Sequence, residues 1–515
     1  MKNLSILATT LFLIHYLTVS GVSAGDTAQG KSASQIPVTK HIILIIGDGM
    51  HLEHERAASR YLYGEDFALI WHSFPVQYPV STWDITTYNR HALCAGMDDY
   101  KPDKFNPLLG YNPHKGGIMP YPKDTSGSDL YFLTKLPLEN PADNDSLELP
   151  ATDSAASATA MATGHKTENK KIGVLSDNTR LATIAELMRS ERRAGIGIVS
   201  TMPFSHATPA SFVSHNESRY NLYTGYKDYT GMGIADEIIT VTKPDVVISG
   251  GHPLYSNPDG DSDMGFISYA LYNSLLNSPD YVFVERQADA DGALSLEKGV
   301  QNALAEGKKL FALFGGAGGY SEPALAQSIP DNPSFIPVTK ENPKLADSAS
   351  AALAYLSRDN DGFFLLIEQG DVDTANHEND YRSMIASMFD LEHAVRAVIS
   401  FVDQPDDAID WSNTLLIVTA DHANSYMRIR KPESMTRGIL PFQKQEGGYW
   451  AYPDNDVVYR TFTHTNELVM AYAKGESAVL FRKHSGKLYP ESAIVDNTAI
   501  YEVMREAAQI SAGGD

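Results

Sequence analysis

Four short apolar runs in this chain lead into residues that can do chemistry. Ile42–Ile46 runs through Gly47 into Asp48, and Ile196–Val199 is followed by His206-Ala207-Thr208. Phe363–Ile367 leads to Glu368, then Asp373 and His377, and Leu415–Val418 leads to Asp421-His422. One such Asp is ordinarily a turn or cap residue, and one such His is ordinarily structural. Together they describe something else, because gathered carboxylates repel one another unless cations neutralise them. Mixed Asp and His ligation suits Zn²⁺ or a similar transition metal. A hydroxyl with two carboxylates, Thr208 with Asp48 and Glu368, suits the harder Mg²⁺.

A second element is Asp153-Ser154-Ala155-Ala156-Ser157-Ala158-Thr159-Ala160-Met161-Ala162-Thr163-Gly164. Its small residues predict a closely packed helix that stops at Gly164. Thr152 or Asp153 can cap it, which leaves Ser154 in the first turn. Free backbone N–H groups and the helix dipole attract an anion there. A serine at that position can attack phosphorus; taken alone, the segment reads first as a packing helix. No histidine stands beside Ser154 in sequence, but a metal can replace a base by lowering the pKa of the oxygen. Arg219 offers a two-pronged fork for phosphate oxygens.

The elements that must position these groups alternate. Continuous apolar runs at Ile42–Ile46, Ile196–Val199, Asp245–Ile248, Leu310–Phe314, Phe363–Ile367, Leu415–Val418 and Glu467–Ala471 suit strands covered on both faces. Helical spacing marks Thr183–Ser190, Ser348–Leu356 and Tyr381–Val402. The pattern predicts a three-layer αβα fold around a large, mostly parallel sheet. Ligands of such sheets bind beyond the carboxyl ends of the strands, which is where the candidate residues fall. Residues 87–150 and 430–463, crowded with Gly, Pro, Asn and Tyr, read as irregular insertions.

Composition narrows the field. The 515 residues are 43% hydrophobic and 20% charged, ordinary for a globular chain. With 41 basic against 64 acidic residues the net charge is −23. That field repels nucleic acid, whose affinity comes from Lys and Arg neutralising phosphates. An anionic substrate then needs a local positive well. Lys2, the apolar stretch Leu4–Val19 and Val22-Ser23-Ala24 read as a secretory signal over residues 1–24. Residues 25–38 read as a flexible arm, and 39–515 as a single catalytic domain with no later membrane span. The one cysteine, Cys94, excludes an intrachain disulfide and a cysteine-rich metal site.

Taken together and in order, Gly47-Asp48-Gly49-Met50, the Asp153–Gly164 segment, His206-Ala207-Thr208-Pro209-Ala210 with Arg219, the Glu368/Asp373/His377 spacing, Thr419-Ala420-Asp421-His422 and His464-Thr465 resemble the alkaline phosphatases, metal-dependent phosphomonoesterases. The resemblance implies two zinc ions and one magnesium ion. Asp373, His377 and His464 would hold the first zinc; Asp48, Asp421 and His422 the second; and Asp48, Thr208 and Glu368 the magnesium. Ser154 would be the nucleophile that forms a phosphoserine, and Arg219, oriented by Asp153, the phosphate clamp. It also implies a homodimer acting on small phosphate monoesters after export to a periplasm or the medium. Thr374 stands where members often carry a basic or aromatic residue. His206 stands where some carry a carboxylate, and joins Ser154 and Arg219 as a candidate substrate contact. Two alternatives remain at this level: a phosphodiesterase on the same fold, and a non-catalytic phosphate- or metal-binding export protein.

Overall fold

The computed structural model describes residues 37–109, 151–256, 265–405 and 408–511. The expected leader over 1–24, most of the expected arm and residues 110–150 of the first insertion lie outside the described residues. Ten strands form the main sheet: β1 (His41–Gly47), β2 (Val76–Ser81), β3 (Gly195–Pro203), β4 (Val246–Gly250), β5 (Tyr281–Glu285), β6 (Lys309–Leu313), β7 (Phe363–Gln369), β8 (Thr414–Thr419), β9 (Val469–Lys474) and β10 (Val495–Asp496). Their order is β10-β2-β9-β8-β1-β7-β3-β4-β6-β5. From β8 to β5 every pairing is parallel, while β9 runs antiparallel to both its neighbours. The central strands are buried on both faces, as unbroken Ile, Leu and Phe runs require.

Register aligns the chemistry. Ile46 pairs with Glu368 on one side and Thr419 on the other, and Glu368 pairs with Ser200. Asp48 and Asp421 therefore emerge just past the same row from which Glu368 projects. The Asp48 amide donates to Gln369 O at 3.0 Å, stitching the β1 and β7 ends together.

The helices that matter are α1 (Leu52–Tyr63), α2 (Ser154–Thr163), α3 (Ile184–Arg192), α4 (Leu345–Leu356), α5 (Asp371–His377) and α6 (Tyr381–Val402). In α2 nine of ten positions are Ala, Ser or Thr, and every one is buried. Small side chains let the helix lie close to the sheet edge. Ser157 Oγ donates to Asp421 O at 2.6 Å, fixing α2 against the end of β8. Gly164 closes α2 in the left-handed conformation.

Three expectations change. The Glu467–Ala471 run is a strand displaced to Val469–Lys474, and it is antiparallel. The first insertion begins not with irregular chain but with a helix, Ile85–Cys94, whose aromatic face packs on Trp83. The second insertion carries a hairpin, Lys444–Glu446 with Tyr449–Ala451, and a short ladder, Arg428–Ile429 with Val457–Val458. Two-residue ladders and an aromatic-capped helix leave little periodic signal for a sequence to show. Strands β2 and β10 also carry no clear apolar run, and β5, with the apolar run Tyr281-Val282-Phe283-Val284, is a further strand beyond those expected.

The segment leading to Arg219 is held by a buried charge cluster. His215 Nδ1 lies 3.0 Å from Glu237 Oε1, and Nε2 lies 3.5 Å from Glu186 Oε2 on α3. Arg180 shares Glu237 from the other side. Burial alone would lower the His215 pKa, but the two carboxylates outweigh it and push it up to about 9. A pKa raised on folding stabilises fully below the unfolded value of about 6.5 and loses that effect as pH rises through about 9. His215→Gln is therefore expected to cost up to about 3 kcal/mol near pH 6 and much less at pH 9.5. Urea unfolding of both proteins at the two pH values checks this; an equal gap at both refutes it.

Candidate metal centre and phosphate pocket

The sequence-predicted residues converge at the carboxyl edge of β1, β7, β3 and β8, and around the start of α2. Two clusters stand out among the described residues: Asp48 with Asp421 and His422, and Asp373 with His377 and His464. In the first, His422 Nε2 lies 3.3 Å from Asp48 Oδ1, 3.3 Å from Asp421 Oδ2 and 3.3 Å from Ser154 Oγ. In the second, His377 Nε2 lies 3.1 Å from Asp373 Oδ2 and 3.2 Å from His464 Nε2. A tetrahedral zinc site with bonds of about 2.0–2.1 Å places its ligand atoms about 3.3 Å apart. The separations from His422 and from His377 match that edge, and the remaining edge of the second cluster, His464 Nε2 to Asp373 Oδ1, is somewhat longer at 3.7 Å.

The imidazoles are aimed by their far nitrogens. His377 Nδ1 lies 2.6 Å from Phe462 O, and His464 Nδ1 lies 2.9 Å from Thr152 O. A carbonyl accepts only from N–H, so each Nδ1 carries a proton and each Nε2 is turned inward, to hold a second proton or a metal. Asp373 pushes the His377 pKa up to about 9, so positive charge is favoured at this position, and two inward nitrogens 3.2 Å apart suit a cation between them. Asn424 Nδ2 donates to Asp373 Oδ1 at 2.5 Å and orients the carboxylate.

The electrostatics give the same answer. Burial, then the charges of Asp421, Asp373 and Glu368, push the Asp48 carboxyl well above the usual range. Burial raises Asp421 to about 6 and Glu368 to about 7. Burial also opposes ionisation of Asp373, but His377 and His464 outweigh it and hold its carboxyl well below the usual range. Asp48 Oδ1, Asp421 Oδ2, Glu368 Oε1 and Thr208 Oγ1 are all buried without a hydrogen bond. Unpaired buried oxygens of this kind are costly unless something binds them. The donor set fits cations: two N/O clusters suited to zinc, and an oxygen set of Asp48, Glu368 and Thr208 suited to magnesium. Gly49 lets the backbone pass between the clusters. It sits at φ +69°, and a Cβ there would lie 2.6 Å from Asp373 Oδ1.

Beside the clusters is a cavity of about 470 Å³ whose wall includes Asp153, Ser154, His206, Arg219, Asp373 and Tyr320. Asp153 caps α2 by accepting from Ala156 N at 3.0 Å. Its other oxygen lies 3.1 Å from Arg219 Nη1 and accepts from Lys170 N at 3.0 Å. Arg219 Nη2 donates to His206 Nε2 at 3.2 Å. Burial and the neighbouring Arg219 lower the His206 pKa to about 3, so the ring is a neutral acceptor. Ser154 stands as the first residue of α2, where the sequence placed it.

A family model for alkaline phosphatases matches residues 122–266 and 336–480, more than half of the chain. The chain belongs to the alkaline phosphatase family. It is 32% identical to alkaline phosphatase 3 of Bacillus subtilis over 280 residues, 54% of this chain and 50% of that protein. It is 27% identical to the alkaline phosphatase of Escherichia fergusonii, over 75% of this chain and 84% of that one. The chain spans about half the length of the Bacillus relatives it matches. Among solved structures, the cold-active alkaline phosphatase of the psychrophile Shewanella sp. superposes with a TM-score of 0.56 at 22% identity, covering 91% of this chain and 99% of that one. That likeness establishes the alkaline-phosphatase-like fold.

Some contributors carry no signal in the sequence. His422, distant from Ser154 in the chain, lies within 3.3 Å of its hydroxyl, although no histidine stands beside Ser154 in the sequence. Ser200 donates to Glu368 Oε2, and the carbonyls of Thr152 and Phe462 hold the two imidazoles. Only the register of β3 against β7 could have pointed to Ser200.

Cations that bind the folded state alone stabilise it. Titrating Zn²⁺ into chelator-treated protein is expected to raise its melting temperature by several degrees. Asp421→Ala is expected to remove most of that rise, and an undiminished rise in the variant would exclude Asp421 as a ligand.

Proposed function

We propose that this chain is an exported, metal-dependent phosphatase that hydrolyses phosphate monoesters through a phosphoserine at Ser154. The observation that carries the reading is the convergence of Ser154 Oγ, Arg219 and two zinc-type ligand clusters on one cavity. In this reading Asp373, His377 and His464 hold one zinc, Asp48, Asp421 and His422 a second, and Asp48, Thr208 and Glu368 a magnesium. A structural relative, a variant of the alkaline phosphatase called TAB5, is described with Mg bound in its M3 site, which supports a third, magnesium-type position here. When bound, the ions supply positive charge for the attacking and leaving oxygens and lower the pKa of an oxygen they hold.

The protein's own groups do the rest. Arg219, fixed by Asp153, receives two phosphoryl oxygens on its guanidinium. Ser154 Oγ, at the amino end of α2, attacks phosphorus as the ester oxygen departs, giving phosphoserine and an alcohol. Water then attacks phosphorus, returning Ser154 and releasing inorganic phosphate. Two in-line displacements give net retention at phosphorus. Held positive charge and the α2 dipole form the local well that an anionic substrate needs within a −23 chain.

A single catalytic domain over residues 39–515 is supported by a sheet that draws strands from residue 41 to residue 496. The 1–24 leader supports export, and no described helix is long and apolar enough to cross a membrane. Homodimer assembly rests on the family resemblance alone.

Ser154→Ala is expected to abolish ³²P trapping on protein and to lower turnover at least about 10³-fold, with metal content nearly unchanged. Monoester and diester substrates, assayed with Zn²⁺ and Mg²⁺ restored after chelation, complete the test. A variant that still traps phosphate refutes the nucleophile; a metal-loaded protein that turns over only the diester refutes the monoesterase.

A further inference from the structure

Among the residues of the cavity wall that the reading above leaves without work, Tyr320 is the one whose position is most firmly built. Tyr320 follows β6 through Phe314-Gly315-Gly316-Ala317-Gly318-Gly319 and lines the same cavity as Ser154, Arg219 and Asp373. Burial raises the phenol's pKa, and the charges of Asp371, Arg219 and Asp373 all reach it. Tyr320 is half-buried in this wall, and a tyrosine hydroxyl so placed ordinarily finds a hydrogen-bond partner.

The loop that carries it is pinned on three sides. Gly319 O accepts from Gly251 N at 2.8 Å, past the end of β4. Ser321 N donates to Thr201 O on β3 at 2.9 Å. Ser321 Oγ donates to Asp371 Oδ2 at 2.7 Å, and Asp371 opens the helix α5 that carries Asp373 and His377. Gly319 sits at φ +85°, and a Cβ on it would lie 2.5 Å from the Phe266 ring, so the turn fits no larger residue. Tyr320 is thus fixed by its neighbours on both sides to the strand ends and the helix that build the centre.

We propose that Tyr320 is a substrate-positioning residue of this pocket, its phenol donating a hydrogen bond to a phosphoryl oxygen of the bound monoester. The inference rests on the phosphatase reading for the identity of the substrate, but not for the anion contact itself. A phosphoryl group offers three equatorial oxygens, and the Arg219 fork meets two. A neutral donor from a separate strand end can meet another without adding charge. It holds product phosphate less tightly than a second cation would, which favours release.

Tyr320→Phe in the zinc- and magnesium-loaded full chain tests this. Calorimetry with inorganic phosphate is expected to show a Kd about tenfold higher than wild type, the usual range for losing a hydrogen bond to a charged partner. KM for a simple monoester is expected to rise in parallel while kcat changes little, the pattern of lost uniform binding. Melting temperature and metal content should match wild type. An unchanged phosphate Kd overturns the proposal whatever happens to kcat. If wild type binds phosphate but turns over no monoester, the phosphatase reading falls and the Kd comparison still decides Tyr320. If wild type binds no phosphate, both fall.

Discussion

Mutual repulsion among buried carboxylates is the constraint around which this molecule is built. Asp48, Asp421 and Glu368 come from three different strand ends and meet out of contact with water, with Asp373 beside them at the cavity wall. Left to themselves they would take up protons or drive the strand ends apart. The protein answers with imidazoles aimed by backbone carbonyls, with an arrangement that has the edge lengths of tetrahedral coordination, and with a sheet rigid enough to hold like charges together. The central parallel strands, buried on both faces, supply that rigidity, because close-packed interiors yield little.

The same constraint orders the site's hierarchy. Strands set where the ligands emerge, and register sets their height. Helix α2 then brings a hydroxyl and a positive dipole end to the one place where negative charge would otherwise be intolerable. Asp153 links these levels, since one of its carboxylate oxygens caps the helix and the other steadies Arg219. The anion pocket and the cation clusters are consequently one electrostatic object, each making the other affordable.

Much of this was legible in the chain. Long apolar runs ending in Asp, Glu or His announced the central strands and, through the carboxyl-edge rule, the meeting place of Asp48, Thr208, Glu368 and Asp421. The start of α2 and its stop at Gly164 followed from small-residue composition and cap chemistry. What stayed hidden was whatever depends on approach across the fold. The contact of His422 with Ser154 spans 268 positions, and no local pattern encodes it. Backbone carbonyls that fix the His377 and His464 tautomers have no side-chain identity to read. Nothing in the sequence marks Tyr320, since its placement comes from a glycine-rich turn pinned to distant strands. Short strands such as β10, two residues long, lie below what periodicity can resolve.

The chain between the two clusters closes on itself twice. Ala423–Asn424 pairs with His464–Thr465, and farther out Arg428–Ile429 pairs with Val457–Val458. The inner ladder fixes the separation of His422 from His464, whose rings stack at 3.6 Å. Residues 431–455 leave and return through this double clasp, and they also fold back onto the junction of α5 and α6, where Trp450 N donates to Glu378 O at 3.2 Å and the Tyr452 hydroxyl donates to Asn379 O at 2.5 Å. The excursion is thus tied to the end of the helix that carries His377, so a change in its length or character would be felt on that side of the metal centre, while the clasp shields the His422 side.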